Sequence, residues 1–378
     1  MILFRCDSVY QLMNAIQLKK TLEKDQKADL LLSNHVDFKD IPQKLKEAGV
    51  FETIYRIESN EKSKEYWKLT MEEREYYSLH PEEYVETHFL EKTYTDFYIS
   101  FDTAYSKLLY YFMVSKMPSL KVHLFEDGMA TYVCNVKERC KQDGMSHEHY
   151  GEKAFYNRIV ELLVYEPMLF TEAFPSFPIL PIPKINTENK EVCNLFRNVF
   201  GSNSLPKERY IFLEEAFLDD NNITNDMELF LKFVQLVGKE NIIVKRHPRS
   251  PYDRFTPMGF SVMEATTTPF EMTLMDYDIS EKIFVTVTST ASVTGKLVFQ
   301  KEVHTILLYH FFEGKSWMIE NRQFKKYFKG LLRLLNGEEQ KILIPKSWEE
   351  LQEIVIYFRG ILGVKGYEAS DFSYSTRL

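Results

Sequence analysis

The sequence is poor in glycine and cysteine, and it has no long apolar run. Only 14 of its 378 residues are glycine, which excludes collagen-like and glycine-rich repeat structures. The four cysteines, Cys6, Cys134, Cys140 and Cys193, form no CxxC pair, so we expect neither a disulfide framework nor a zinc site. The first residues, MILFRCDSVYQ, lack a signal-peptide pattern, and no apolar run reaches the roughly 18–20 residues that span a bilayer. We therefore expect a cytoplasmic protein, attached at most peripherally to the inner face of a membrane.

An excess of positive charge is also missing. The chain has 47 Lys and Arg against 55 Asp and Glu, a net charge of −8. Proteins that bind nucleic acid usually carry a basic face, so nucleic acid is not an expected partner. GxGxxG and GxxxxGK[ST] motifs are absent, which disfavours dinucleotide and P-loop sites. The segment His147-Glu148-His149 favours a solvated loop over a metal site, and none of these motifs predicts a cofactor.

The chain does contain a regular alternation of short apolar runs and segments of helical period. This pattern predicts an α/β protein with parallel sheets covered by helices on both faces. A length of 378 residues suits two domains of roughly 150–200 residues. The predicted strands are 1–5, 29–33, 53–57, 96–100, 121–125, 209–213, 241–245, 282–287 and 303–308.

A proline-rich segment, FPSFPILPIPK at 174–184, interrupts the alternation. Proline removes backbone donors and disfavours helix before it, so this segment predicts an extended connector. We expect two Rossmann-like domains that face a cleft between them. The predicted units are a first domain at 1–173, a connector and helix at 174–207, a second domain at 208–362 and a tail at 363–378.

Polar clusters follow three of the predicted strands, where ligands of open α/β sheets bind. Glu126, Asp127 and Gly128 follow the strand at 121–125. A carboxylate beside a flexible glycine can act as a general base in the cleft. The alternative is an ordinary turn with solvated acids.

The second cluster is Lys245-Arg246-His247-Pro248-Arg249. A histidine among three cations can donate a hydrogen bond or a proton to a phosphate, while the cations offset its developing charge. The alternative is a basic surface loop.

The third cluster lies at a strand-to-helix junction and contains Ser289, Thr290 and Ser292. Hydroxyls and free amides at a helix N-terminus bind phosphate, although Ser and Thr also serve as N-caps. A weaker signal is Glu271, which can accept both hydroxyls of a ribose or simply be a first-turn carboxylate.

Taken in order, these motifs resemble those of the bacterial sialyltransferases, most closely the lipooligosaccharide group, glycosyltransferase family 52. The segments 247–249 and 269–271 resemble that family's HPR and PxxE-like segments, and CDSVYQL at 6–12 resembles its start. The resemblance implies a GT-B fold, meaning two Rossmann-like domains around a cleft. It also implies CMP-sialic acid as donor, inversion at the anomeric carbon and no catalytic metal. The acceptor would be a terminal sugar of a bacterial surface glycan, and we expect that sugar to be galactose.

The resemblance implies that the domain at 1–173 is the acceptor side and that the domain at 208–362 binds the nucleotide donor. It also implies roles for individual residues. His247 would assist departure of CMP as general acid or hydrogen-bond donor, Ser289 and Thr290 would hold the phosphate, and Glu271 the ribose. The backbone near Pro248 and Arg249 would hold the cytidine. For the general base, Asp127 is the first choice and Glu126 its neighbouring alternative. Relatives of the lipooligosaccharide group place the base in the nucleotide domain, where Glu215 and Asp220 are the rivals.

Two other functions stay open at this point. One is a related GT-B transferase with another donor, UDP-glucose or a CDP-activated polyol. The other is a non-catalytic protein that binds a glycan or a nucleotide. The expected partners are a CMP-sugar donor and a glycan acceptor, and a homodimer is compatible with the sequence.

Overall fold

The computed structural model describes residues 1–87, 90–100, 103–145, 150–172, 175–217, 223–263, 268–336 and 341–361. Three parts of the sequence prediction lie outside these residues: the candidate base Asp220, the segment 147–149 and the tail at 363–378. Within the described ranges, no helix is both long enough and apolar enough to cross a membrane.

The first domain is built on a seven-stranded sheet. Its strands are β1 (Ile2–Cys6), β2 (Ala28–Ser33), β3 (Ile54–Ile57), β4 (Asp96–Ile99), β5 (Lys121–Phe125), β6 (Ile159–Val164) and β7 (Ile179–Pro181). Its helices are α1 (Val9–Thr21), α2 (Ile41–Glu47), α3 (Asn60–Tyr66), α4 (Met71–Leu79), α5 (Ala104–Lys116), α6 (Met129–Val133) and α7 (Val136–Gln142). The strand order is β3-β2-β1-β4-β5-β6-β7, and all six neighbouring pairs are parallel.

The second domain has a six-stranded parallel sheet. Its strands are β8 (Tyr210–Leu213), β9 (Ile242–Lys245), β10 (Ser261–Val262), β11 (Ile283–Thr286), β12 (His304–Leu307) and β13 (Ile342–Leu343). The helices are α8 (Lys190–Phe200), α9 (Asp226–Val237), α10 (Phe270–Asp276), α11 (Ala291–Phe299), α12 (Trp317–Glu320), α13 (Arg322–Leu335) and α14 (Trp348–Ile361). The strand order is β10-β9-β8-β11-β12-β13.

Both sheets have the Rossmann strand order. Numbered within its own domain, each sheet begins 3-2-1-4-5-6. The order in which strands are added therefore reverses between β1 and β4 in the first sheet and between β8 and β11 in the second. Crevices at the carboxyl ends of such strand pairs are where α/β sheets bind ligands. The predicted fold class, two Rossmann-like domains in a GT-B-like arrangement, is confirmed.

Burial explains why these runs form strands. Every residue of β1, β2, β8, β11 and β12 is buried. A parallel sheet covered on both faces requires continuous apolar runs rather than alternation. Arg5 is the one charged residue of β1, and its Nη1 donates to the Asp7 carboxylate at 2.7 Å and to the Ser106 hydroxyl at 2.5 Å.

The first sheet extends into the segment predicted as a connector. Ile179–Pro181 forms β7 and pairs with β6, so this sheet continues beyond residue 173. Proline is tolerated in β7 because an edge strand leaves one row of backbone amides unpaired. The predicted helix at 190–200 is present as α8, capped by the Asn189 side chain.

The two domains share apolar packing. One buried cluster contains Leu124 of β5 together with Leu307 of β12. Helix α13 lies across the boundary, because the Tyr327 ring is 5.5 Å from the ring of Tyr132 in the segment after β5. The domains are therefore in direct contact, and their polar edges are held close together.

Candidate active site

The carboxyl ends of β5 and β11 meet at one point. The amide of Met129 donates to Thr290 Oγ1 at 3.0 Å, across 161 residues of sequence. Gly128 has φ +73, and a Cβ there would lie 3.1 Å from the same oxygen. Glycine is required for both the conformation and the close approach. The acidic turn and the hydroxyl turn that the sequence predicts at these positions therefore form adjoining walls.

Glu126 faces the protein interior and is fully buried. Its carboxylate accepts hydrogen bonds from the Tyr132 hydroxyl at 2.5 Å, the Tyr165 amide at 2.8 Å and the Tyr10 hydroxyl at 3.1 Å. Burial raises the pKa of Glu126 to about 7, and these hydrogen bonds oppose the increase. The carboxylate has no surface to offer a substrate, so it organises the turn.

Asp127 lies beside it but is partly exposed. Its Oδ2 accepts a hydrogen bond from Gln11 Nε2 at 2.9 Å, and its own amide donates to Thr131 Oγ1 at 2.8 Å. Burial raises the pKa of Asp127 to about 6; Gln11 and Arg249 oppose this shift and Asp7 adds to it. At neutral pH the carboxylate is ionised and more basic than an ordinary aspartate, as a general base needs to be.

Several residues of the loop that carries His247 form hydrogen bonds with one buried carboxylate, that of Glu214. This side chain accepts from the His247 amide at 3.0 Å and from the Ser250 hydroxyl at 2.7 Å. It also accepts from Arg254 Nη2 at 2.9 Å. Arg254 in turn pairs with Asp226 of α9 at 2.6 Å. Glu214 thereby fixes where the loop begins and ends.

His247 is a neutral hydrogen-bond donor in the free protein. Burial lowers the pKa of its imidazole to about 3, and the charges of Lys245 and Arg249 add to the effect. Nδ1 accepts a hydrogen bond from the Arg249 amide at 3.1 Å, so the ring proton of the neutral form lies on Nε2. Nε2 has no partner among the described residues. It is therefore available to donate to a ligand.

The remainder of the basic cluster shapes this loop. Arg246 Nη2 donates to the Ser250 carbonyl at 3.1 Å, which closes the loop, while Pro248 and Arg249 are exposed. The charge of Arg249 acts on Asp127, so the tip of the loop lies near the acidic turn. Whether the imidazole itself and the Asp127 carboxylate act on one ligand stays a prediction.

The Glu215 side chain, just after β8, forms hydrogen bonds with residues at the carboxyl end of the neighbouring strand β11. Its carboxylate accepts from the Thr288 amide at 2.5 Å, from the Thr288 hydroxyl at 2.6 Å and from the Thr286 hydroxyl at 2.9 Å. Burial raises the pKa of Glu215, and the threonine hydrogen bonds oppose the increase. With three donors bound, this partly exposed carboxylate links the end of β8 to the end of β11. Its place among the candidate bases stays a prediction.

The hydroxyls at the start of α11 have different surroundings. Ser289 is partly exposed, and its hydroxyl has no partner among the described residues. Thr290 Oγ1 is occupied by the Met129 amide but keeps its own proton to donate. Ser292 is 1% exposed and its hydroxyl donates to the Ser289 carbonyl at 2.8 Å. Ser292 therefore faces the helix and not a ligand, contrary to expectation.

Glu271 and Lys245 are opposite charges that act on each other. Burial raises the pKa of Glu271, and the charge of Lys245 opposes it. Burial lowers the pKa of Lys245, and Glu271 opposes that shift in turn. Glu271 also contributes to the raised pKa of Tyr10 in α1, after the larger effects of burial, Glu126 and Tyr165.

Sequence reasoning missed the residues that orient these groups. Gln11 holds Asp127 and Glu214 holds the loop of His247, yet neither was assigned a role. Gln11 belongs to the segment 6–12 that carries the family resemblance, and Glu214 directly follows β8, so both had a positional signal. Among the described residues, no group of three or more His, Cys, Asp or Glu is arranged to hold a metal ion.

No protein-family model matches the sequence, and no curated protein matches it either. The solved structures include similar folds. One is the crystal structure of the α/β-galactoside α-2,3-sialyltransferase from the luminous marine bacterium Photobacterium phosphoreum, with a TM-score of 0.49 and 12% identity. The alignment covers 91% of this chain and 98% of that one.

Two further structures have comparable similarity. A variant of the wall teichoic acid polymerase TagF has a TM-score of 0.47 and 8% identity, covering 96% of this chain and 80% of that one. The UDP-GlcNAc 2-epimerase from Neisseria meningitidis, bound to UDP-GlcNAc, has a TM-score of 0.45 and 10% identity. It covers 94% of this chain and 98% of that one. These proteins are a transferase, a polymerase and an epimerase, and similarity at this level does not select a reaction.

Proposed function

We propose that the chain is an inverting glycosyltransferase that moves sialic acid from CMP-sialic acid to a terminal sugar, galactose in the first instance, of a bacterial surface glycan. The observation that carries the proposal is the meeting of the acidic turn and the hydroxyl turn through Gly128, Met129 and Thr290. This contact brings the turn that carries Asp127 next to the turn that carries Ser289, whose hydroxyl has no partner among the described residues, and so it supports one shared site.

Asp127 is the proposed general base. An acceptor hydroxyl that donates a hydrogen bond to its carboxylate gives up its proton as the oxygen attacks the anomeric carbon. The new bond forms from the acceptor oxygen as the bond from the anomeric carbon to the phosphate oxygen breaks. A pKa near 6 makes the carboxylate both ionised at neutral pH and basic enough to take the proton.

The leaving phosphate is received by His247 and by the hydroxyl turn. Nε2–H of the neutral His247 and the hydroxyl of Ser289 are the unoccupied donors. The nine-residue helix α11 begins there, and its N-terminal dipole favours an anion. Donors that strengthen as negative charge develops on the leaving group lower the barrier.

The choice of CMP-sialic acid over other donors rests on the resemblance of segments 247–249, 269–271 and 289–290 to the sialyltransferase motifs. Glu271 supports it, because its carboxylate lies near Lys245 in the same cleft and can accept the two ribose hydroxyls. Thr290 is the second proposed phosphate donor, through the proton that it keeps.

Nucleotide preference tests the donor directly. Thermal shift with CMP, CDP and UDP should show the largest stabilisation with CMP, because only the favoured leaving group fits the folded cleft. Incubation with CMP-sialic acid and a galactoside should then release CMP and form a sialylated product. Preferential stabilisation by UDP, or by CDP with turnover of a CDP-polyol, would overturn the sialyl assignment. CMP binding without transfer to a range of glycan acceptors would favour a non-catalytic binding protein.

Asp127→Asn tests the base. The substitution keeps the shape and the Gln11 contact but cannot take a proton, so kcat should fall by about 10²–10⁴-fold. CMP should still stabilise the variant, since the phosphate site is on the other wall. The control is Asp278→Asn, an exposed carboxylate outside the cleft, which should leave kcat unchanged. Undiminished turnover in Asp127→Asn would remove this residue from the mechanism.

A further inference from the structure

Helix α13 carries five cations on one side. Arg322, Lys325, Lys326, Lys329 and Arg333 are all exposed, and we call them the basic stripe. At 3.6 residues per turn, the spacing i, i+3, i+4, i+7 and i+11 confines them to an arc of about 100°. Their backbones extend over roughly 16 Å along the helix. The stripe is therefore a narrow, straight row of positive charge.

The opposite side of α13 is fixed in the protein. Its buried residues are Phe324, Tyr327, Phe328 and Leu331. The helix start is tied to the first domain, because Asn321 Nδ2 donates to the Val133 carbonyl at 3.2 Å. With its apolar face already packed, the helix cannot rotate, and the basic stripe has to face outward.

Nothing on the helix neutralises this charge. The sequence RQFKKYFKGLLRLL contains no acidic residue. None of the five cations has an ion pair or hydrogen-bond partner for its side chain within the described part of the chain. The positive field also reaches beyond the helix, because Lys346 and Lys325 both add to the burial that lowers the pKa of His310, whereas Glu350 opposes them.

The stripe is unlike an ordinary solvated helix face. The neighbouring helix α14, WEELQEIVIYFRGI, mixes three glutamates with one arginine, as exposed helices in soluble proteins usually mix charges. In a chain of net charge −8, five cations in one row, without partners among the described residues, give a local potential of the opposite sign to the whole molecule. Such a row indicates an anionic partner.

We propose that the basic stripe of α13 docks the protein on an anionic phospholipid surface. A flat bilayer fits a straight row of cations on a convex helix, and juxtamembrane lysines and arginines are attracted to anionic headgroups within a Debye length of about 8 Å. Because the apolar face is already buried, the helix does not insert. Binding is therefore electrostatic and salt-sensitive, and it does not depend on the proposed transfer reaction.

The test is co-sedimentation of the full chain with vesicles. Vesicles of equimolar phosphatidylcholine and phosphatidylglycerol should bind the protein at low salt, and vesicles of phosphatidylcholine alone should not. High salt should release it, since the attraction is screened. Lys325→Glu/Lys326→Glu/Lys329→Glu should lower binding by at least about tenfold, because three attractive charges become repulsive.

The matched control reverses three other exposed lysines, Lys20, Lys24 and Lys46, and so changes the net charge equally. It should retain binding. A second variant, Lys325→Gln/Lys326→Gln/Lys329→Gln, should lose part of the binding and guards against misfolding of the reversed one. Failure of the wild type to bind anionic vesicles, equal binding to neutral ones, or equal loss in the control would each overturn the proposal. Binding to heparin but not to vesicles would also overturn it, in favour of a soluble polyanion.

Discussion

Glu126 and Asp127 are neighbours in sequence whose carboxylates have different functions. Glu126 is fully buried with three donors bound, whereas Asp127 is partly exposed with one bond from Gln11. Successive side chains at the end of a strand point in opposite directions, so one faces the core and the other is accessible. The sequence pattern EDG is the same whichever residue faces the core, and only the fold shows that Asp127 is the accessible one.

The acid limb of the pH profile should report Asp127. The base works only when ionised, so kcat/KM should fall below pH about 6. Gln11→Leu removes the hydrogen bond that stabilises the carboxylate. The pKa of Asp127 should then increase, and the acid limb should move upward by about 0.5–1 pH unit. The measurement is kcat/KM of both proteins across that pH range.

Gln17→Leu is the matched control for that shift. Gln17 is buried on the same helix, but its Nε2 donates to the Pro183 carbonyl at 2.8 Å and not to Asp127. The acid limb of the Gln17→Leu variant should stay at the wild-type pH even if its free energy of unfolding decreases. An unmoved limb in Gln11→Leu, or the same shift in both variants, would contradict the role of Gln11 as a positioning residue.

At the scale of elements, the loop after β9 depends on a carboxylate from the end of β8. Glu214 binds His247, Ser250 and Arg254. Neighbouring parallel strands end at the same edge, so a buried acid after one strand can hold the loop after the next. The sequence does not predict the conformation of the basic cluster at 245–249. Hydrogen bonds to Glu214 and to the Ser250 carbonyl fix this conformation.

Glu214→Gln should therefore loosen the whole loop. Removing one charge from the buried pair with Arg254 should lower the free energy of unfolding by about 2–4 kcal/mol. CMP stabilisation should decrease as well, since His247 is no longer held. Urea unfolding and the CMP thermal shift measure the two effects.

Glu228→Gln provides the comparison for that variant. Glu228 pairs with Lys232 on the exposed side of α9, and surface pairs contribute little. Its free energy of unfolding should change by less than about 0.5 kcal/mol. If the two variants lost stability equally, or if the CMP shift of Glu214→Gln stayed that of the wild type, the loop would not depend on Glu214.

For the whole molecule, the relation between the two domains matters most. The Met129 amide and Thr290 Oγ1 join the acidic turn of one sheet to the helix start of the other. Shared apolar packing, as at Tyr132 and Tyr327, supports that contact from behind. The two walls of the proposed site are thus held together by both polar and apolar contacts.

Thr290→Val should break the polar part of this contact. The Met129 amide loses its acceptor, so its hydrogen exchange should become about tenfold faster or more. Hydrogen-exchange mass spectrometry of the peptide around Met129 measures this. Thr294→Val is the control, because its hydroxyl donates to the Thr290 carbonyl in the same helix and not to Met129. Exchange at Met129 that is unchanged in Thr290→Val would mean that the domains do not meet in this way in solution.

Most of the sheet structure was predictable from the sequence, and the failures have physical causes. All nine predicted strands are present, because continuous apolar runs of four to six residues form the buried centre of parallel sheets. β10 and β13 have two residues each, too few to show a pattern. β7 contains proline and looks like a connector until β6 supplies the partner edge. β6 was not predicted, although its apolar run resembles those of the predicted strands.

The sequence by itself determined the alternation of strand and helix, the two-domain division and the residues that end the strands. These are local properties, set by burial of apolar runs and by turn-forming residues. Only the tertiary structure decided that the turns after β5 and β11 meet at Met129 and Thr290, that Glu126 and Ser292 face inward, and that α13 turns its cations outward. Those outcomes depend on which edges and faces meet, and contacts across 161 residues leave no periodic signal along the chain.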